Sequence, residues 1–409
     1  METIRLCKSL TREQRNTFLA CFLGWALDAL DFFLVTFVLT QIATDFHRSI
    51  PEVAFSITLT LMMRPLGALI FGWLGDRFGR RLPLMIDIIF YSFMELFTAF
   101  APNFTVFLIL RALFGIGMGG EWGLGASLAM ESLPTKARGL FSGLLQQGYA
   151  TGYLLAALVY WIVFPLFGWR GLFIAGAMPA LLVIYIRARV PESPVWERDQ
   201  VNRRQPLNIF LFIRQHGALF LYAALLMTAF NYMSHGTQDL YPTYLEKQRG
   251  FGVSAKSMIS IVYAFGAICG GVIIGSLSQH WGRRRVIILS ALGGMLLIPL
   301  WIFSPNTGLL ILGGFAIQFM VQGAWGVVPV HLNELSPPDY RGTFPGLAYQ
   351  LGNFAAAYAA QQQAWLAEKF RMPNGEPNYA LTMALIQSVV FLAVIILAAI
   401  GREKRGIEF

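Results

Sequence analysis

The sequence predicts an all-α polytopic membrane protein, with twelve transmembrane helices in two pseudo-symmetric six-helix bundles, on three observations. The 409 residues are 56% hydrophobic and 13% charged, with a mean hydropathy of +0.58, more apolar than a soluble chain of this length. Twelve apolar runs approach the roughly 20 residues that a helix needs to cross a bilayer. The chain also repeats itself at a single offset of 203 residues.

The runs fall at 18–41, 53–74, 83–100, 105–131, 139–165, 172–189, 216–246, 256–277, 286–304, 307–332, 343–366 and 379–401. Orientation follows the basic residues. Of the 31, the N-terminus, the turns at 77–81, 136–138 and 283–285, Arg341, the segment 187–214 and the tail hold 22. Such an excess places those turns and both termini in the cytoplasm. The net charge of +9 is then a consequence of topology and asks for no nucleic-acid partner. The first run is too long for a signal-peptide core and no small-residue cleavage site follows it, so it reads as the first span.

The repeat is ungapped. Gly72, Leu74, Gly79, Arg80 and Arg81 return as Gly275, Leu277, Gly282, Arg283 and Arg284. Gly120 and Trp122 return as Gly323 and Trp325, and Glu131, Pro134, Arg138 and Gln147 return as Glu334, Pro337, Arg341 and Gln350. Parallel six-helix repeats put a site near the bilayer midplane, between them. The expected division is an N-terminal bundle at 1–189, a charged and Pro-containing linker at 190–215, and a C-terminal bundle at 216–409.

Charges inside the spans are the next signal, because hydrocarbon makes them costly. Arg64 lies twelve residues from Asp76, about 18 Å at helical rise and so near the centre. Its fork suits a bidentate carboxylate; a structural ion pair with Asp28 or Asp31 is the alternative. Those two aspartates are three residues apart and share a face of the first span. Two carboxylates in a low-dielectric cavity do not both ionise cheaply, which makes one of them a candidate proton carrier. Glu121 and Arg111 form another candidate pair, suited to packing or gating, and Asp87 and Glu95 share a face of the third span without an assigned role.

The seventh run carries the densest polar set, N-Y-M-S-H-G-T-Q-D-L-Y-P-T at 231–243. Asn231, His235, Asp239 and Thr243 are spaced by four, with Ser234 and Gln238 beside them, so one helix presents a continuous hydrogen-bonding stripe. Pro242 cannot donate, which frees the carbonyl of Gln238. His235 and Asp239, one turn apart, can share a hydrogen bond that passes a proton, or merely pins the helix.

Two motifs carry a family resemblance. G-W-L-G-D-R-F-G-R-R at 72–81 and P-E-S-P at 191–194 resemble the helix 2–3 signature and helix 6 exit of the major facilitator superfamily. Asn231, Ser234, His235, Thr237, Gln238, Asp239 and Thr243 fit N-x-x-[ST]-H-x-[ST]-Q-D-x-x-x-T, which resembles helix 7 of the Jen-type lactate permeases of the sialate:proton symporter family. The resemblance implies proton-coupled uptake of short monocarboxylates, lactate and pyruvate above all, across a plasma membrane, the bacterial inner membrane, by a monomer. Arg64 looks like that group's helix 2 arginine, and Gln350 with Asn353 like its helix 11 specificity pair. The substrate set is then Arg64, Asn231, Gln147, Gln238, Gln350 and Asn353, with Gln147 and Gln350 facing each other across the site; proton coupling falls to His235, Asp239, Asp28 and Asp31. The superfamily resemblance also implies a gating role for Asp76, Arg77, Arg80, Glu131, Arg138, Arg283, Glu334 and Arg341. The chain is shorter at both ends than the fungal members. A symporter of another organic acid, aromatic or sialic, shares the scaffold; a drug/proton exchanger suits an arginine and amide set less well.

Other patterns carry less. G-x-G-x-x-G at 115–120 sits inside an apolar span with no preceding strand, so it reads as close helix packing and not as a dinucleotide loop. His47, His216, His280 and His331 fall at helix ends and read as solvated or capping. His331 and Glu334 lack a third ligand, and the three cysteines suggest neither a disulfide framework nor a metal site. No cofactor, metal or enzymatic nucleophile motif is expected.

Overall fold

The computed structural model describes residues 10–134, 141, 143–199, 209–337 and 344–403. The helices are α1 Arg12–Phe37, α2 Leu39–Asp45, α3 Ile50–Phe78, α4 Arg81–Ala99, α5 Phe104–Ser132, α6 Gly148–Ala175, α7 Ala180–Arg189 and α8 Pro194–Asp199. After the segment between the halves come α9 Ile209–Gln238, α10 Tyr241–Lys247, α11 Val253–Trp281, α12 Arg283–Ile302, α13 Thr307–Trp325, α14 Val328–Leu335, α15 Phe344–Ala356, α16 Ala359–Lys369 and α17 Tyr379–Ile400.

Ten described helices are long and apolar enough to cross a membrane. The two remaining runs, 172–189 and 343–366, are helical but interrupted. The first is separated from the preceding span at Gly168, whose φ of 62° suits glycine, and turns again at 176–179 before α7. The second breaks between α15 and α16. The seventh span also breaks: α9 stops at Gln238, and α10 begins at Tyr241 with Pro242 in its first turn. The polar stripe is therefore split across a turn, with Asp239 at the break, where Pro242 cannot continue the ladder.

Helix ends repeat with the sequence. Asn103 accepts from the backbone N–H of Val106 at 3.0 Å, and Asn306 from that of Leu309 at 2.9 Å, so both fourth spans open on an asparagine cap. Such caps satisfy amides that the first turn leaves unpaired. Both second spans end on a glycine at positive φ, Gly79 at 90° and Gly282 at 92°. Packing repeats too, with α3 against α5 and α11 against α13, α1 against α6 and α9 against α15. A Cβ on Gly67 would lie 1.7 Å from the carbonyl of Ile116, and one on Gly270 2.0 Å from that of Phe319, so at both crossings only glycine admits the approaching backbone. The halves meet where α6 packs on α11, and α3 on α15 and α16.

Candidate functional site

A small cavity lies between the halves. Its wall is Gln146 and Tyr149 from the N-terminal half and Asn231, Ser234, His235, Gln322, Trp325 and Tyr349 from the C-terminal half. Of the residues expected to bind substrate, Asn231 is on the wall. Gln147 is one residue off it and packs against Gly271 of α11, where a Cβ would meet its Nε2 at 2.4 Å. Gln350 is likewise one residue beyond the wall. The wall residues Gln146 and Tyr349 are themselves related by the 203-residue offset, one position and so about 100° around a helix from Gln147 and Gln350. Gln350 Oε1 and both side-chain polar atoms of Asn353 are buried without a hydrogen bond among the described residues.

The stripe on α9 is largely engaged. His235 Nδ1 lies 3.1 and 3.3 Å from the two carboxylate oxygens of Asp239, and both side chains are buried. Gln238 faces away from the cavity wall and donates to Gln318 at 3.1 Å, while Gln322 donates to Ser234 at 3.2 Å. Asn231 donates to the carbonyl of Met227 at 2.8 Å.

In the N-terminal half Asp28, Asp31, Arg64, Asp87, Glu95, Arg111 and Glu121 are all fully buried. Arg111 pairs with Glu95 at 2.5 Å, which corrects the expected partnership with Glu121; Glu121 packs instead on Gly24 of α1. Arg64 makes no ion pair with Asp28 or Asp31 among the described residues. Its guanidinium stands 5.8 Å from the ring of Trp25 and 5.7 Å from that of Tyr349, and its Nε and Nη2 have no hydrogen-bond partner. Asp28 and Asp31 have no hydrogen-bond partners among the described residues either.

The two faces are closed differently. On the face of the basic turns, Arg80 pairs with Glu131 at 3.3 Å and Arg283 with Glu334 at 3.2 Å, each latch within its own half. Glu192 accepts from the backbone N–H groups of Arg80 and Arg81, and Glu403 from those of Arg283 and Arg284. Arg77 stands apart from its latch, 5.4 Å over the ring of Trp73 on its own helix, contrary to the expected gating contact. Asp76 lies in α3, and its side chain is outside the described set, as are Arg138 and Arg341. His331 is buried with neither ring nitrogen bonded, not solvated as expected. On the opposite face the clasp runs between halves: Lys256 pairs with Glu246 at 2.5 Å and donates to the carbonyl of Phe37 at 3.0 Å, while Thr40 and Gln41 donate to Glu246 at 2.5 and 3.1 Å.

Twelve helical runs in two repeated halves, with a cavity between them and ion pairs on the basic turns, are the architecture of a membrane transporter. The chain belongs to the Major Facilitator Superfamily, whose profile matches residues 21–360. It is 31% identical to a carboxylic acid transporter protein homolog of Saccharomyces cerevisiae over 97% of this chain and 69% of that one. It is also 31% identical to a probable 4-methylmuconolactone transporter of Cupriavidus pinatubonensis, over 91% and 89%, and 26% identical to a sialic acid transporter of Escherichia coli, over 84% and 85%. Among solved structures it resembles a D-xylose–proton symporter, with a TM-score of 0.79 at 19% identity, over 97% of this chain and 100% of that one. It is a multi-pass membrane transporter and not an enzyme.

The wall residues Gln146, Tyr149, Gln322, Trp325 and Tyr349 escaped the sequence reading. The 203-residue repeat was the available signal for Gln146 and Tyr349, one position from the pair it singled out.

Proposed function

We propose that this chain is a proton-coupled symporter of short monocarboxylates, lactate and pyruvate, working by alternating access. The observation that carries the proposal is Arg64. A centrally placed arginine costs at least roughly 2.5 to 3.5 kcal/mol in a bilayer, and this one keeps two donor nitrogens without a protein acceptor. It stands behind the cavity wall at Tyr349, where a substrate carboxylate would complete its fork. Three relatives named for acid or lactone transport support an organic-acid substrate. His235 on the wall, bonded to Asp239 behind it, supplies the proton route, and Asp28 and Asp31 a second acidic store. Gln350 and Asn353, buried with unpaired polar atoms, and Gln147 and Gln238 are assigned to the substrate path that forms when the halves part, since such atoms are costly unless they find partners.

On this reading the halves are 1–189 and 216–409, joined by 190–215, in a monomer of the bacterial inner membrane with both termini in the cytoplasm. A second reading, a ring-bearing acid, is favoured by the aromatic wall of Tyr149, Trp325 and Tyr349. Counterflow of radiolabelled lactate in proteoliposomes, competed by pyruvate, acetate, benzoate and sialic acid, decides between them. Benzoate outcompeting unlabelled lactate would reject the short-chain reading.

A further inference from the structure

The hydrogen bonds behind the cavity form a chain whose direction is set at its buried end. Tyr263 donates its hydroxyl hydrogen to the backbone carbonyl of Thr237 at 2.6 Å. The Thr237 hydroxyl donates to the carbonyls of Met233 and Ser234 at 3.0 and 2.9 Å. Backbone carbonyls only accept, so neither hydroxyl has a hydrogen left and both oxygens must accept. They accept from Gln318 Nε2, at 2.7 Å for Tyr263 and 3.0 Å for Thr237, which fixes the amide of Gln318. Its Oε1 therefore accepts from Gln238 Nε2 at 3.1 Å. Gln238 Oε1 in turn accepts from the Ser234 hydroxyl at 3.4 Å, and the oxygen of Ser234 accepts from Gln322 Nε2 at 3.2 Å. Reversing one link would put two donors or two acceptors face to face in a buried site, which costs more than any single bond gains.

The chain ends at Gln322, a wall residue, whose Oε1 receives no hydrogen bond from the described residues. We infer that this directed chain makes Gln322 Oε1 an obligate acceptor at the cavity wall, so that the site selects acids bearing a hydrogen-bond donor beside the carboxylate, 2-hydroxy acids over 2-keto acids. This rests on the monocarboxylate reading above and adds the order of preference within it. A 2-hydroxyl donates to Oε1; a 2-keto oxygen meets it acceptor to acceptor; an unsubstituted chain makes no bond. Gln318, which lies behind the wall, is a positioning residue.

The test is competition for lactate counterflow by unlabelled lactate, pyruvate and propionate in proteoliposomes of wild type, Gln322→Met and Gln318→Leu. A single cooperative thermal unfolding transition of each purified variant reports that it is folded. Wild type is expected to prefer lactate over both competitors by about tenfold, the scale of one net hydrogen bond. Gln322→Met should bring all three close together. Gln318→Leu frees the amides to turn, so pyruvate should gain on lactate although no wall residue has changed. Gln318→Met, which also removes the amide, replaces Gln318→Leu if the latter shows no such transition. Wild-type ratios retained in Gln322→Met, or in the variant that unties the buried end, overturn the inference alone. A wild-type protein that binds none of the three acids overturns the monocarboxylate reading with it.

Discussion

The two halves share a scaffold and differ in what they bury. The N-terminal half holds Asp28, Asp31, Arg64, Asp87, Glu95, Arg111 and Glu121 out of solvent. At the same places, 203 residues later, the C-terminal half has Asn231, Ser234, Ala267, Ser290, Ile298, Gly314 and Ala324. In return, the positions of Gln318 and Gln322 are Gly115 and Gly119 in the N-terminal half, where a Cβ would strike the carbonyls of Thr60 and Arg64. The glycines let α5 approach α3 closely enough to enclose the charges; the glutamines hold a neutral network open to the cavity. The described residues of the N-terminal half thus bury a set of charges where the C-terminal half buries an amide and hydroxyl network, with the His235 and Asp239 pair as an ionisable exception beside the cavity wall.

That exception offers the sharpest break. Asp239→Asn should abolish uphill lactate uptake while exchange survives, because exchange needs no net proton movement. Accumulation by wild type should follow the pH gradient, roughly 1.4 kcal/mol per unit. It should ignore a valinomycin-imposed voltage, which would supply about 2.3 kcal/mol per 100 mV to any net charge. Uphill uptake by Asp239→Asn equal to wild type between external pH 5 and 8 would move coupling to the charged half.

Next in size is Arg64. Arg64→Gln should weaken lactate binding by about 100-fold, and Arg64→Lys should recover little of it, since a point charge does not reproduce a two-pronged contact. Unchanged binding in Arg64→Gln would mean that the charge-storing half does not touch the anion.

The contrast between halves was partly legible in the sequence. The spans, the offset of the repeat and the polar run of the seventh span follow from periodicity and identity; the latch residues came from the superfamily resemblance, and among the described residues Arg80 pairs with Glu131 and Arg283 with Glu334. The partner of Arg111 did not follow, because a pairing between helices depends on their rotation and depth, and an error of one residue turns a side chain by about 100°. The same sensitivity moved the wall from Gln147 and Gln350 to Gln146 and Tyr349. The break at Gln238 was announced by Pro242, but a proline in a long apolar run is compatible with a kink or a stop, and packing decides which.

The latches test how deep the symmetry goes. Arg283 and Glu334 are 4% and 5% exposed, against 18% and 21% for Arg80 and Glu131. Removing one partner of a buried pair costs about 3 kcal/mol or more, and of a partly solvated pair about 1 kcal/mol or less. Glu334→Gln should therefore lower the thermal midpoint of the purified protein clearly more than Glu131→Gln. Equal shifts would show that the turns are energetically as symmetric as their sequence.

The smallest expected effect separates neighbours. Gln146 is a polar contribution of the charged half to the cavity wall, while Gln147 turns away to pack on Gly271. Gln146→Ala should change the relative competition of acetate, lactate and pyruvate by a few-fold, on the order of one weak hydrogen bond. Gln147→Ala should leave those ratios within error and act, if at all, on turnover, because its contact is with α11 across the boundary between halves. The two substitutions remove the same atoms from adjacent positions. Should Gln147→Ala reorder the substrates and Gln146→Ala not, the selective surface would be the one exposed when the halves part, and the repeat-related pair Gln147 and Gln350 would replace Gln146 and Tyr349 as its axis.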